Sequence, residues 1–266
     1  MIFRPDGDGW LVITQPAHAW MAGGLVAAWG NEAFTAPVPR EAVIMATYLH
    51  DIGWMEWDAA PRVGESGDPV NFVKAPLEET EPIWRRAVER VALMDPYAGL
   101  LVSLHATTIY RRRLERQADP PEQERQVQRL LDEQLQYQAR LQKQLQHHPL
   151  YGPVVENQPL QTAYRWLRVC DLLSLALLSG TMADEGEIEA VPAASRETFT
   201  TLRYATGDPW TLEVDPFPFE RRLELPLAVR RLAQKRFADT AALRYALDAA
   251  TWQTITLVVR PTMLTE

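Results

Sequence analysis

Apolar and polar positions change period several times along the chain, and each change marks an element. Residues 1–4 are short and extended, Asp6-Gly7-Asp8-Gly9 is a turn, and Trp10-Leu11-Val12-Ile13-Thr14 is rich in β-formers. Together they predict a hairpin. Gln15-Pro16-Ala17 then leads into a helix of small and apolar residues over 17–29. After the proline-marked loop Ala36-Pro37-Val38-Pro39, a second helix is predicted from residue 40 through Leu49-His50-Asp51-Ile52-Gly53-Trp54. Residues 58–76 carry several glycines and prolines and predict a long loop. Loops of that length are often functional, and Asn71 and Lys74 are its lid candidates.

Helical periodicity resumes over 80–94 and 95–116. The glutamine-rich stretch 121–147 places Val127, Leu131, Leu135, Leu141 and Leu145 on roughly one side, an amphipathic helix. Such a helix either covers the domain or pairs with a second copy, so a homodimer is one expectation. Residues 160–178 form the most apolar helix. Beyond Ser179 the texture turns to strands at 210–214, 222–225 and 254–259, with a short helix at 239–249. The expected architecture is therefore mainly α. A helical bundle with its N-terminal hairpin occupies 1–189, and a β-rich appendage, whose strands can pair with that hairpin, occupies 190–266.

Composition narrows the class. Hydrophobic residues make up 47% of the 266, enough for a substantial core. No apolar run approaches the roughly 18 residues a membrane span needs, and residues 1–6 lack the layout of a signal peptide. The single cysteine, Cys170, excludes an internal disulfide and leaves no thiolate cluster for zinc, so a cytoplasmic location is expected. A formal charge of −8 disfavours general nucleic-acid binding, yet leaves room for a nucleotide held by a metal and a few arginines.

Five side chains stand out against apolar surroundings. His50-Asp51 ends the run Val43-Ile44-Met45-Ala46-Thr47-Tyr48-Leu49, where charge is costly unless compensated. An imidazole nitrogen and a carboxylate oxygen suit a divalent metal, but a helix end followed by a solvated aspartate accounts for the same dipeptide. His18 lies among Ala17, Ala19, Trp20, Met21 and Ala22, as a ligand or as a core histidine bonded to backbone. Asp171 sits between Trp166-Leu167-Arg168-Val169-Cys170 and Leu172-Leu173-Ser174-Leu175. A carboxylate there must neutralise, pair with Arg168, or bind a metal. His105, within Leu100-Leu101-Val102-Ser103-Leu104, has three options: a second metal, a substrate, or a bond within the core. His147 and His148 close the polar helix and should be solvated. Arg111-Arg112-Arg113 follows His105 by under two turns, as a solvated ion-paired helix end or as a contact to an anion.

A histidine, a His-Asp pair on a later helix and an aspartate on a late buried helix resemble the HD-domain superfamily of metal-dependent phosphohydrolases. More narrowly, the chain resembles the bacterial family DUF3891 within it. The residues carrying the narrower likeness are 10–18, Leu49-His50-Asp51-Ile52-Gly53-Trp54, Trp57-Asp58-Ala59-Ala60-Pro61, Ser103-Leu104-His105 and Cys170-Asp171-Leu172-Leu173-Ser174-Leu175. The resemblance implies an HD-type helical bundle in which His18, His50, Asp51 and Asp171 hold a divalent ion (Mn, Fe, Zn, Co, Ni or Mg). It also implies a small phosphorylated substrate.

One departure bears on catalysis. Many one-metal members carry a glutamate three residues after the HD aspartate, and this chain has Trp54 there. Asp51 would then work with Asp58, Glu56 or His105 on the water. Asp58 is favoured because seven residues is two turns of a continuing helix, although it equally suits capping the loop that follows. Three functions result: a phosphohydrolase, a non-catalytic metal or ligand sensor, and an iron-dependent oxygenase of related build.

Overall fold

The computed structural model describes residues 1–117, 119–207 and 210–262. The N-terminal hairpin is formed by β1 (Ile2–Asp6) and β2 (Gly9–Ile13), paired antiparallel across Gly7 in a positive-φ turn. Thr14 caps the next helix, its hydroxyl accepting from the Ala17 amide, and Pro16 occupies the first turn, where a missing N–H costs nothing. That helix, α1 (Gln15–Ala28), packs against α2 (Arg40–Leu49).

The predicted continuation of the second helix to residue 54 is corrected by the structure. α2 stops at Leu49, a 3₁₀ turn spans Ile52–Trp54, and a four-residue α3 (Met55–Asp58) follows. The cause is close packing. A Cβ on Gly53 would lie 2.0 Å from the Ile83 carbonyl oxygen, so only glycine lets this turn approach the helix beneath it. Helices α4 (Leu77–Met94), α5 (Pro96–Glu115), α6 (Pro121–Leu145) and α7 (Asn157–Leu178) complete the helical layer. The glutamine-rich α6 covers α5 within the same chain, burying Val127, Leu130, Leu131, Gln134, Gln138, Leu141 and Leu145. Leu135, expected on that stripe, faces outward.

The expectation of a mainly α protein with a small β-rich appendage is overturned. After α7 come β3 (Glu185–Pro192), β4 (Phe199–Gly207), β5 (Thr211–Asp215), β6 (Leu223–Leu232), α8 (Thr240–Ala249) and β7 (Trp252–Pro261). With the hairpin they make one seven-stranded mixed sheet in the order β1-β2-β6-β7-β5-β4-β3, antiparallel except for β5 against β7. β3 and β4 escape the sequence reading because few of their positions are buried, and glutamate, threonine and arginine fill many of the others. The sheet supplies one face of the core. Leu202, Val214, Val229 and Leu257 share one buried cluster with Met21, Leu101 and Leu173. Specifically, β6 packs on α1, and β3, β4 and β5 pack on α7, so the sheet fixes the two helices that carry His18 and Asp171. Among the described residues no helix is long and apolar enough to cross a membrane.

Candidate metal centre

Four segments deliver one cluster of buried groups. His18 comes from the first turn of α1, His50 and Asp51 from the break after α2, His105 from the middle of α5 and Asp171 from α7. Gly23 makes the α1–α2 approach possible, since a Cβ there would overlap the Tyr48 ring at 2.2 Å. Nε2 of His18 lies 3.1 Å from Oδ1 of Asp171 and 3.4 Å from Oδ2 of Asp51. His50 Nε2 lies 3.4 Å and 3.6 Å from the same two oxygens. The His18 and His50 rings meet edge to face at 5.3 Å. Each residue of this quartet is at most 6% exposed, so water does not screen them.

The opposite edges of the two imidazoles are tied down. His50 Nδ1 lies 2.8 Å from the Thr47 carbonyl, which can only accept, so Nδ1 carries the proton. The Ser174 hydroxyl spends its own hydrogen on the Asp171 carbonyl at 2.8 Å, and therefore accepts from His18 Nδ1 at 2.7 Å. Both neutral rings consequently aim an Nε2 lone pair at carboxylate oxygens, and His50 Nε2 has no hydrogen-bond partner. Lone pairs facing lone pairs in a dry site require a cation between them, either a proton on each ring or a metal. Without a metal, protons serve. Burial alone would lower His18, but hydrogen bonds to Asp171 and Asp51 outweigh it and push its pKa up to about 9. His50 also moves up, against burial, through the charge of Asp51. Reciprocally, both aspartates are held below their ordinary range despite burial. Asp171 is held there by the close approach of His18 and then His50, and Asp51 by the charge of His50.

His105 completes the wall. Its Nε2 is 3.7 Å from Asp171 Oδ2, its ring lies 5.5 Å from Trp84, and Nδ1 faces the Tyr164 hydroxyl at 3.5 Å. Burial drives its pKa down to about 4, so it is neutral at neutral pH. Donor atoms of His18, His50 and Asp51, and separately of His50, His105 and Asp171, lie within 4.8 Å of one another, close enough to share an ion.

Other sequence candidates lie elsewhere. Asp58 is buried but engaged: its carboxylate accepts from the Met1 amino group and from the Gln15 amide at 2.7 Å. The chain bends at Ile52–Trp54, so Asp58 does not lie two turns beyond Asp51 on one continuous helix. Glu56 is exposed and paired with Arg90, and Arg168 donates to the Glu189 carbonyl rather than to Asp171. Arg113 pairs with Asp119 at 2.5 Å. Asn71 donates to the Phe3 carbonyl, while Lys74 is exposed. His147 and His148 are exposed, the latter stacked on Tyr151. Sequence reasoning missed Ser174, Thr47, Trp84 and Tyr164, which orient or flank the imidazoles. For Ser174 a signal existed: a hydroxyl residue one turn after Asp171 in an otherwise apolar helix.

No match was found among curated proteins, and none among solved structures. A family model described as "Protein of unknown function (DUF3891)" matches residues 1–234, which contain every residue of the cluster, and the chain belongs to that family.

Proposed function

We propose that the protein is a metal-dependent phosphohydrolase of HD type acting on a small phosphorylated molecule. The observation that carries this reading is the pair of tethered imidazoles whose Nε2 atoms face two buried carboxylates, with no arginine or lysine paired to Asp51 or Asp171 among the described residues. Two nitrogens and two carboxylate oxygens match the donor preference of Mn, Fe, Co, Ni or Zn, and less closely that of Mg. His18, His50, Asp51 and Asp171 would hold the ion. When bound, it would acidify water and offset phosphoryl charge.

The remaining work falls to the chain. Ser174 and the Thr47 carbonyl keep both imidazoles in the tautomer that presents Nε2. Asp51 and Asp171 stay ionised across the physiological range. His105, uncommitted at Nε2 and 3.7 Å from Asp171, would accept a hydrogen bond from an attacking water and orient it. Asp58 and Glu56 support the fold rather than the reaction, each already paired. Trp84 and Tyr164 close the site around His105 and limit access of bulk water.

A second reading rests on Trp54. It is buried where many one-metal relatives of this type carry glutamate, and the nearby acids are engaged, which favours a metal-bound sensor without turnover. Metal analysis of the purified protein, followed by a panel of phosphomonoesters with Mn, Co, Ni and Mg, separates the two. Turnover lost in His50→Ala, Asp51→Ala and His105→Ala supports the hydrolase. Stoichiometric metal with no turnover of any ester supports the sensor.

A further inference from the structure

Beside the metal centre lies an open cleft of about 670 Å³, a size typical of small-molecule sites. Its walls are the next turns of the elements that carry the cluster. Leu175 is one turn beyond Asp171 on α7, Ile109 is one turn beyond His105 on α5, and Trp54 follows Asp51 by three residues. Trp84 lines the cleft and also packs edge-on against His105, so the two sites share a wall. Phe72, on the loop before α4, packs against Trp54 at 6.1 Å from the other side.

The polar groups of the cleft divide into two kinds. Most are engaged with each other: Tyr110 donates to Thr80, Thr80 to the Leu77 carbonyl, and Thr181 to Ser179. Arg113 likewise pairs with Asp119. Three are not engaged. The indole N–H of Trp54 is buried with no acceptor. Lys74 and Arg116 line the cleft, and neither side chain makes an ion pair among the described residues. All three are donors, and a buried donor without a partner is costly unless a ligand supplies the acceptor.

We propose that this cleft receives the body of the substrate and that the body is a planar aromatic group carrying an acceptor, not a polyhydroxylated sugar. The inference rests on the phosphohydrolase reading, in which the metal centre takes the phosphoryl end. Tryptophan, phenylalanine, isoleucine and leucine walls suit an aromatic face. The hydroxyls of a sugar would lose water against these apolar walls, where the hydroxyls of Tyr110, Thr80 and Thr181 are already bonded. Trp54 N–H and Lys74 instead suit an acceptor on the ring or on the ester.

The test uses manganese-loaded protein and two non-hydrolysable probes of equal charge, 1-naphthylmethylphosphonate and 2,3-dihydroxypropylphosphonate, with inorganic phosphate as reference. Calorimetry should show the naphthyl compound binding at least about tenfold more tightly than the diol, from burial of its ring. Tryptophan fluorescence should be quenched by the naphthyl compound alone. Ile109 is 38% exposed, so Ile109→Asp leaves the core intact and should erase the preference. Trp54→Phe keeps the ring and removes the N–H, and should weaken several-fold the quinoline analogue of the naphthyl probe, whose ring nitrogen accepts, while sparing the naphthyl compound itself. Equal binding of the two phosphonates would overturn the inference while leaving the metal centre's role standing. Failure of inorganic phosphate and both phosphonates to bind would overturn the phosphohydrolase reading, and the inference with it.

Discussion

Two buried polar clusters share helix α5, and they are built to opposite rules. On the side facing α6, Ser103 donates to Gln134 at 2.8 Å, Gln138 donates to Ser103 and Thr107, and Thr107 donates to the Leu104 carbonyl. Every group is neutral, and no fully buried atom of this layer lacks a partner. On the side facing α1, α2 and α7, His105 joins four groups whose acceptor atoms confront one another. The first cluster closes on itself and serves packing. The second closes only when cations enter it. Buried polarity by itself therefore marks no site. Polarity that stays incomplete after the hydrogen bonds are counted does.

The largest expected contrast comes from removing ligands. His50→Ala or Asp171→Ala should lower metal affinity by at least about 100-fold, measured by competition against a chromogenic chelator. Gln138→Ala, on the opposite side of α5, should leave that affinity unchanged and cost about 1 kcal/mol in urea unfolding. Metal loss in Gln138→Ala would collapse the distinction between the clusters.

Next in size is Gly53→Ala. With the Ile83 carbonyl in the way, the variant should lose about 3 kcal/mol of stability, read from the urea midpoint. Gly7, whose would-be Cβ meets nothing within 4 Å, should tolerate alanine far better despite its positive φ.

Ser174→Ala tests the tether. It removes the acceptor of His18 Nδ1 and should weaken metal binding about tenfold while the protein stays folded. Thr107→Ala, a hydroxyl loss in the self-satisfied layer, should not affect metal.

A further contrast comes from pH. In metal-free protein His18 has a folded pKa of about 9 against an ordinary 6.5. Its stabilisation is fully present below about pH 6.5 and is lost as pH rises through 9. Asp51 and Asp171 are lowered, so theirs is present above the ordinary carboxylate pKa and lost on further acidification. Urea midpoints across pH should show both limbs, and saturating metal should flatten the alkaline one. A divalent ion replaces the protons on His18 and His50, so calorimetry in buffers of differing ionisation enthalpy should report release of up to about two protons per metal near pH 7.

The site was more legible in the sequence than the fold around it. His18, His50, Asp51, His105 and Asp171 interrupt apolar helices, and such interruptions are visible without coordinates because burial makes them expensive. Asp58 misled, because its placement assumed a straight helix through Gly53, where the backbone instead turns to pack on α4. The sheet was under-read for a different reason. β3 alternates glutamates with few apolar residues, and β4 is threonine-rich. Their membership in the sheet depends on long-range pairing, with β5 beside β7 in parallel, which no local pattern encodes. The same long-range pairing anchors α1 and α7, so the part of the fold hardest to read is the part that brings His18 to Asp171.

Anomalous diffraction from crystals soaked in manganese tests the central claim most directly. One strong peak is expected, bounded by Nε2 of His18 and His50 and by carboxylate oxygens of Asp51 and Asp171. Crystals without a peak there, with His18 still bonded directly to Asp171 at saturating manganese, would contradict it.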